Sequence, residues 1–100
     1  MEFTRSRSGE GVELRVAGRL DGYHANYLLE ELERLVREGE RQVRLDLARV
    51  SYLSSAGIGV LVKCRQDLIQ LGGNLVVAVA SAPVQRVLEM AKLAALLVAA

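Results

Sequence analysis

The chain has 100 residues, 51% hydrophobic and 25% charged, a balance that suits one folded domain over residues 1–100 and excludes intrinsic disorder. Thirteen Lys and Arg against twelve Asp and Glu leave a formal charge of +1, which gives no electrostatic reason for nucleic acid or an anionic membrane to be the partner. Cys64 is the single cysteine, so an intramolecular disulfide and a cysteine metal cluster are both excluded.

The opening Met1-Glu2-Phe3-Thr4-Arg5 lacks the apolar core of a secretion signal, and no window approaches the roughly eighteen apolar residues that a membrane span needs. A cytoplasmic location with no membrane insertion is the expectation. A first strand is expected within Glu2 to Arg7, with Gly9-Glu10-Gly11 supplying turn chemistry. Gly11 to Gly18 then alternates apolar with polar or small residues, the period of a strand with one buried face.

From Ala25 to Glu38 the apolar residues Leu28, Leu29, Leu32, Leu35 and Val36 recur at helical spacing, and Gly39 is the expected stop. Val43, Leu45 and Leu47 alternate with Arg44 and Asp46 and predict another strand, followed by a loop. Ile58, Leu61, Val62, Leu68 and Ile69 mark a second helix, which Gly72-Gly73 closes. The continuous apolar run Leu75 to Ala80 reads as a strand covered on both faces. Ser81-Ala82-Pro83 is a helix start, with a hydroxyl cap and proline in the first turn, and Val84, Val87, Leu88 and Ala91 form its stripe. The apolar tail from Leu93 supplies a last strand near Leu96 to Ala99, and such an ending also fits a segment of a longer chain. The order ββαβαβαβ implies an α/β sandwich: a mixed, mostly parallel sheet with an N-terminal hairpin and about three helices.

Chemistry concentrates in Val50-Ser51-Tyr52-Leu53-Ser54-Ser55-Ala56-Gly57-Ile58-Gly59, where two adjacent serine hydroxyls, Ser54 and Ser55, and two glycines stand just before a helical stripe. A helix N-terminus offers free N–H groups and partial positive charge, so a serine or a phosphate is well accommodated there. Together with Gly18-Arg19-Leu20-Asp21, Leu45-Asp46-Leu47, Gly72-Gly73-Asn74-Leu75 and Val84-Gln85-Arg86-Val87-Leu88-Glu89-Met90, this stretch resembles the STAS family, named for sulfate transporters and anti-sigma-factor antagonists. The resemblance spans almost the whole chain and implies a STAS-like sandwich.

In anti-sigma-factor antagonists the loop reads Asp-Ser-Ser-Gly or Asp-Ser-Thr-Gly, and the hydroxyl before glycine is phosphorylated by an anti-sigma-factor serine kinase. Here the four positions are Ser54, Ser55, Ala56 and Gly57, so the usual acceptor position holds an alanine and the usual aspartate a serine. Two readings follow: Ser55 (with Ser54 beside it) is the acceptor of this variant loop, or the loop stays unphosphorylated. The plainer role for either serine is to cap the helix. The resemblance implies docking of the anti-sigma kinase through Asp21, Gly22, Tyr23 and His24 together with Ser54, Ser55, Ala56, Gly57, Ile58 and Gly59, with Asp21 and Asp46 lending negative potential to the loop. The alternative is a non-switching STAS module, a scaffold or transporter-associated subunit, which has no use for a phosphoacceptor.

No enzyme motif competes. Gly57-x-Gly59 lacks the third glycine of a dinucleotide fingerprint, and both the lysine-bearing phosphate loop and the Gly-x-Ser-x-Gly elbow are missing. No catalytic residue, cofactor or metal ligand is expected. His24 reads as a surface or capping residue, Asp21 as an orienting group or an acidic turn residue, and Cys64 as a small buried hydrophobe. Tyr23, Tyr27 and Tyr52 have two readings, as the lining of an interface or, as scattered tyrosines usually are, as covers at the edge of the core.

Overall fold

The computed structural model describes residues 1–97. Strand β1 (Glu2–Ser8) turns into β2 (Gly11–Leu20), and the two pair antiparallel from Glu2↔Ala17 to Ser8↔Gly11. Gly9, at φ 60°, takes the left-handed position that this tight turn requires. Helix α1 (Ala25–Arg37) leads to β3 (Gln42–Leu53), and α2 (Ser55–Gln70) to β4 (Asn74–Ala80). Two shorter helices follow, α3 (Ala82–Met90) and α4 (Ala94–Leu97). The strands stand in the order β1-β2-β3-β4, with β2, β3 and β4 parallel.

Strand side chains alternate between faces, and here one face carries the core. Val12, Leu14, Val16 and Leu20 of β2 and Val43, Leu45, Leu47, Val50 and Leu53 of β3 join Leu75 and Val77 of β4. They pack with Leu28, Leu32 and Leu35 of α1, Leu61, Cys64 and Leu68 of α2, and Val84 and Leu88 of α3. The other face presents Thr4, Ser6, Glu13, Arg15, Arg44 and Asp46, none of them buried, and Arg15 Nε lies 3.4 Å from Asp46 Oδ2. On the core side of β1, Arg5 reaches Glu38 (2.7 Å) and Glu31 (3.0 Å), and Arg7 reaches Glu40 (2.8 Å). These hydrogen bonds hold the Glu38 and Glu40 carboxyls below their ordinary range.

Helix ends follow their sequence signals. Ser81 accepts from the Val84 N–H at 3.4 Å and Pro83 lies in the first turn of α3, while Gly39 (φ 97°) follows α1 at its stop. Three expectations change. First, β4 is an edge strand covered on one face only: Leu75 and Val77 are buried, but Val79 is 46% exposed. A mixed sheet can leave one face to water, and valine and alanine tolerate half-exposure there, so an apolar run alone does not establish two covered faces. Second, β3 does not yield to a loop after Leu47 but runs on to Leu53. Its register against β2 slips between Arg15 and Ala17 and again between Gly18 and Arg19, so two extra residues break the alternation while the strand continues. Third, Leu96 and Leu97 belong to α4 where a strand was expected; the rest of that segment, 98–99, lies outside the described residues. The Lys92-Leu93 connection carries Lys92 at φ 62°, and the Leu97 N–H bonds back to the Leu93 carbonyl at 3.0 Å, closing a helical turn.

Cys64 faces the core from α2 and is 5% exposed, in agreement with its reading as a small hydrophobe. Burial pushes its thiol up to about 11 from an ordinary 9.0. Between those values the folded chain holds a proton that the unfolded chain has lost, so this group's contribution to stability is present below pH 9 and disappears as pH rises toward 11. Urea unfolding across that interval should show a steeper decline for the wild type than for Cys64→Val, and the native thiol should resist iodoacetamide at pH 8 while the urea-unfolded thiol reacts.

Candidate functional site

The strands β2 and β3 end side by side. Leu20 and Leu53 are register partners, and the Ser54 N–H donates to the Leu20 carbonyl at 2.8 Å. The β2–α1 loop and the first turn of α2 therefore leave the sheet from adjacent points, which brings the two segments singled out in the sequence to one end of the molecule.

In the first loop, Asp21 does the orienting. Its Oδ1 accepts from the His24 backbone N–H at 2.9 Å and lies 2.8 Å from His24 Nδ1, and its carbonyl accepts from the Ala25 N–H at 2.9 Å. The His24 N–H, then desolvation offset by the His24 ring and Arg19, leave the Asp21 carboxyl below its usual range. His24 occupies the N-cap position of α1, but its side chain makes no cap hydrogen bond. Tyr23 and Tyr27 are 70% and 45% exposed, and Tyr52 is 41% exposed, so they do not cover the core edge. The physical reason is phase: the buried stripe of α1 runs through Ala25, Leu28, Leu32 and Leu35, and Tyr27 lies off it.

In the second segment the two serines separate. Ser54 is the N-cap of α2: its backbone is extended (φ −86°, ψ 169°) and its Oγ accepts from the Gly57 N–H at 3.1 Å. Ser55 and Ala56, the first helical residues, are exposed, as is Gly59, while Ile58 is half-buried. Gly57 is buried and shapes the surface from behind. A Cβ there would meet Leu53 Cδ1 at 2.7 Å and the Leu20 carbonyl oxygen at 3.2 Å, so a side chain at this position would push the Leu53 methyl aside and crowd the strand ends. Across the open sheet face, Arg19 lies 3.9 Å from Asp21 and its guanidinium stacks 4.5 Å from the centre of the Tyr52 ring. That contact depends on the second register slip, which sets Arg19 opposite Tyr52, and nothing in the local sequence signals it.

Asp46 stands elsewhere. It pairs with Arg15 in the middle of the sheet, its Oδ1 accepts from the Ala48 N–H at 3.0 Å, and the seven residues to Leu53 span roughly 20 Å of strand. Negative potential beside the loop therefore comes from Asp21. Among the described residues no group of three or more His, Cys, Asp or Glu side chains is placed to hold a metal ion, and no helix is long and apolar enough to cross a membrane.

The division between the serines has a stability signature. Ser54→Ala removes a cap and should cost about 1 kcal/mol in urea unfolding, whereas Ser55→Ala should stay within about 0.5 kcal/mol. Gly57→Ala should cost about 1–3 kcal/mol through overpacking against Leu53 and Leu20.

The STAS domain family profile matches residues 4–98. An anti-sigma-B factor antagonist of Staphylococcus epidermidis is 35% identical over 78 residues, which cover 78% of this chain and 72% of that protein. An anti-sigma-B factor antagonist of Listeria monocytogenes is 38% identical over 73 residues, covering 72% of this chain and 63% of that one. The chain spans between 58% and 72% of the length of such curated relatives. Among solved structures, the anti-sigma factor antagonist SpoIIAA in its unphosphorylated form superposes with a TM-score of 0.81 at 20% identity, over 99% of this chain and 88% of that one. SpoIIAA in its phosphorylated form gives 0.73 at 19% identity, over 99% and 91%. At such identities these two structures show the fold alone. By its family profile and its curated relatives, the chain belongs to the STAS domain family and, within it, to the anti-sigma-factor-antagonist type.

Proposed function

We propose that this chain is a cytoplasmic anti-sigma-factor antagonist that docks an anti-sigma factor with serine kinase activity, frees the sigma factor held by it, and is itself controlled at Ser55. The observation that carries this reading is the pairing of the two loops at one end of the sheet through the Ser54–Leu20 hydrogen bond, with Ser55 and Ala56 exposed beside the Asp21 loop. The chain acts by binding and supplies no catalytic group; the kinase brings the ATP.

Geometry favours Ser55 over Ser54 as acceptor. The Ser54 hydroxyl is half-buried and already accepts the Gly57 N–H, whereas Ser55 is exposed. Phosphoserine carries about −1.5 to −2 charges and three acceptor oxygens. At the first residue of α2 that charge meets the free N–H groups and the positive end of the helix, so the fold tolerates it. A partner lying over the same surface has to strip water from the phosphate next to the Asp21 carboxylate, and binding weakens. The modification thus changes the surface without unfolding it.

Ala56 at the usual acceptor position favours a second reading, a STAS module that docks without switching, as a scaffold or transporter-associated subunit. Affinity capture from native lysate with wild type, Ser55→Ala and Ser55→Asp separates the two. Recovery of a kinase by wild type and Ser55→Ala, reduced at least tenfold with Ser55→Asp, supports the switch, provided Ser55→Asp unfolds at the wild-type urea midpoint or above it. Equal recovery of one membrane complex by all three supports the second reading and removes the first.

A further inference from the structure

We propose that the aromatic cup between the start of β1 and the start of α1 receives an arginine or lysine side chain of the docked protein and so selects which protein docks. This rests on the docking reading above and adds the chemistry of the contact to it.

The cup is a cavity of about 260 Å³ lined by Met1, Phe3, Tyr23, His24 and Tyr27. Clefts that bind drug-sized ligands run to roughly 300–1,000 Å³, so this one has the capacity of a single side chain. Its floor is apolar: Phe3 and Met1 are half-buried against the core. Its walls are aromatic. Tyr23 meets His24 edge-on at 5.0 Å between ring centres and Tyr27 at 5.7 Å, and the two phenol oxygens lie 3.2 Å apart. Each edge-to-face contact covers one face of one ring and leaves the opposite face of that ring unstacked, and a ring face is the negative pole of an aromatic group. Two large tyrosines held together yet exposed to this degree have the composition and the accessibility of an interface anchor.

Charge decides what the anchor takes. Asp21 borders the cup through its bonds to His24, and Glu30, three residues beyond Tyr27, is exposed and makes no ion pair among the described residues. The nearby guanidinium groups are engaged: Arg19 with Asp21 and Tyr52, Arg5 with Glu31 and Glu38. Hydrogen bonding to Tyr23, then the charge of Tyr23 and burial, hold the Tyr27 phenol above its ordinary range, with the charge of Glu30 the smallest cause. An acidic side chain entering the cup would be repelled by Glu30 and, less strongly because Arg19 lies 3.9 Å from it, by Asp21. A cationic one lays its methylene stem on Phe3 and Met1 and its charge against ring faces and carboxylates.

The test uses the intact chain, labelled with carbon-13 in its aromatic rings, and three probes in turn: the N-acetyl amides of arginine, leucine and glutamate. The arginine amide should shift the ring signals of Phe3, Tyr23, His24 and Tyr27 in a saturable manner, at least tenfold more tightly than the leucine amide, with no response to the glutamate amide. Tyr27→Phe, which keeps the ring, should retain the response, and Tyr27→Leu should lose it while the signals of Tyr52 and the core methyls stay in place. Equal shifts from the leucine and arginine amides would make the cup a plain apolar contact and overturn the proposal, as would shifts confined to Tyr52. Because no partner protein is present, failure here leaves the docking reading standing, and failure of partner capture leaves this result standing.

Discussion

The alignment of Leu20 with Leu53 is the constraint on which the functional end depends. Both leucines are buried at the carboxyl ends of neighbouring parallel strands, and the Ser54 N–H closes onto the Leu20 carbonyl immediately beyond them. The two register slips between β2 and β3 make this alignment, since without the extra residues in β3 the strands would end out of step. Gly57 then lets the first turn of α2 settle against both leucines, where a Cβ would crowd the Leu53 methyl and the Leu20 carbonyl. A shift of one residue in this pairing would turn the whole strand face over, so the position of the loops is fixed by the same leucines that fill the core. The surface at this end is accurate because the core beneath it is.

That accuracy explains how two adjacent serines come to differ. The first has to cap the helix, because the N–H of Gly57 would otherwise be left without a partner near the buried strand ends. The second, one residue into the helix, is turned outward and makes no such bond. A phosphate there is stabilised by the helix terminus and opposed only by whatever lies across from it. On the free chain that is water beside the Asp21 loop, and in the proposed complex it would be the partner. On the switch proposed above, the effect on folding and the effect on binding have opposite signs, which is the requirement for reversible control of a stable domain.

Most of the fold was legible in the sequence because the signals that carry it are local. The stripe of α1, the glycine turn between β1 and β2, the cap at Ser81 and the alternation of Val43, Leu45 and Leu47 each depend on a few neighbouring residues. What escaped depends on partners distant in the chain. Extra residues in β3 erase its alternation, although Val50 and Leu53 remain core residues. The edge position of β4 is a property of the sheet order, which an apolar run of six residues does not record. At the site, the two loops were legible as motifs, but the separate duties of Ser54 and Ser55 were not, since both hydroxyls satisfy the same capping pattern. The stacking of Arg19 on Tyr52 and the grouping of Tyr23 with Phe3 arise only from strand pairing.

The topology also explains why an aromatic cup stands beside the loops at all. Adjacent parallel strands send their following loops to the same end of a sheet, so the neighbours β2 and β3 place the Asp21 loop beside the start of α2. Strand β1 runs the other way, and its antiparallel pairing sets Glu2 against Ala17 and Phe3 against Val16, near the end of β2. Strand β1 therefore starts where β2 finishes, and Met1 and Phe3 meet Tyr23, His24 and Tyr27 as those residues leave the sheet. Had the hairpin been replaced by a parallel strand, the same aromatic residues would face open water with no floor beneath them. One hairpin reversal converts two exposed tyrosines into the wall of a cavity, next to the loop whose charge a modification would alter.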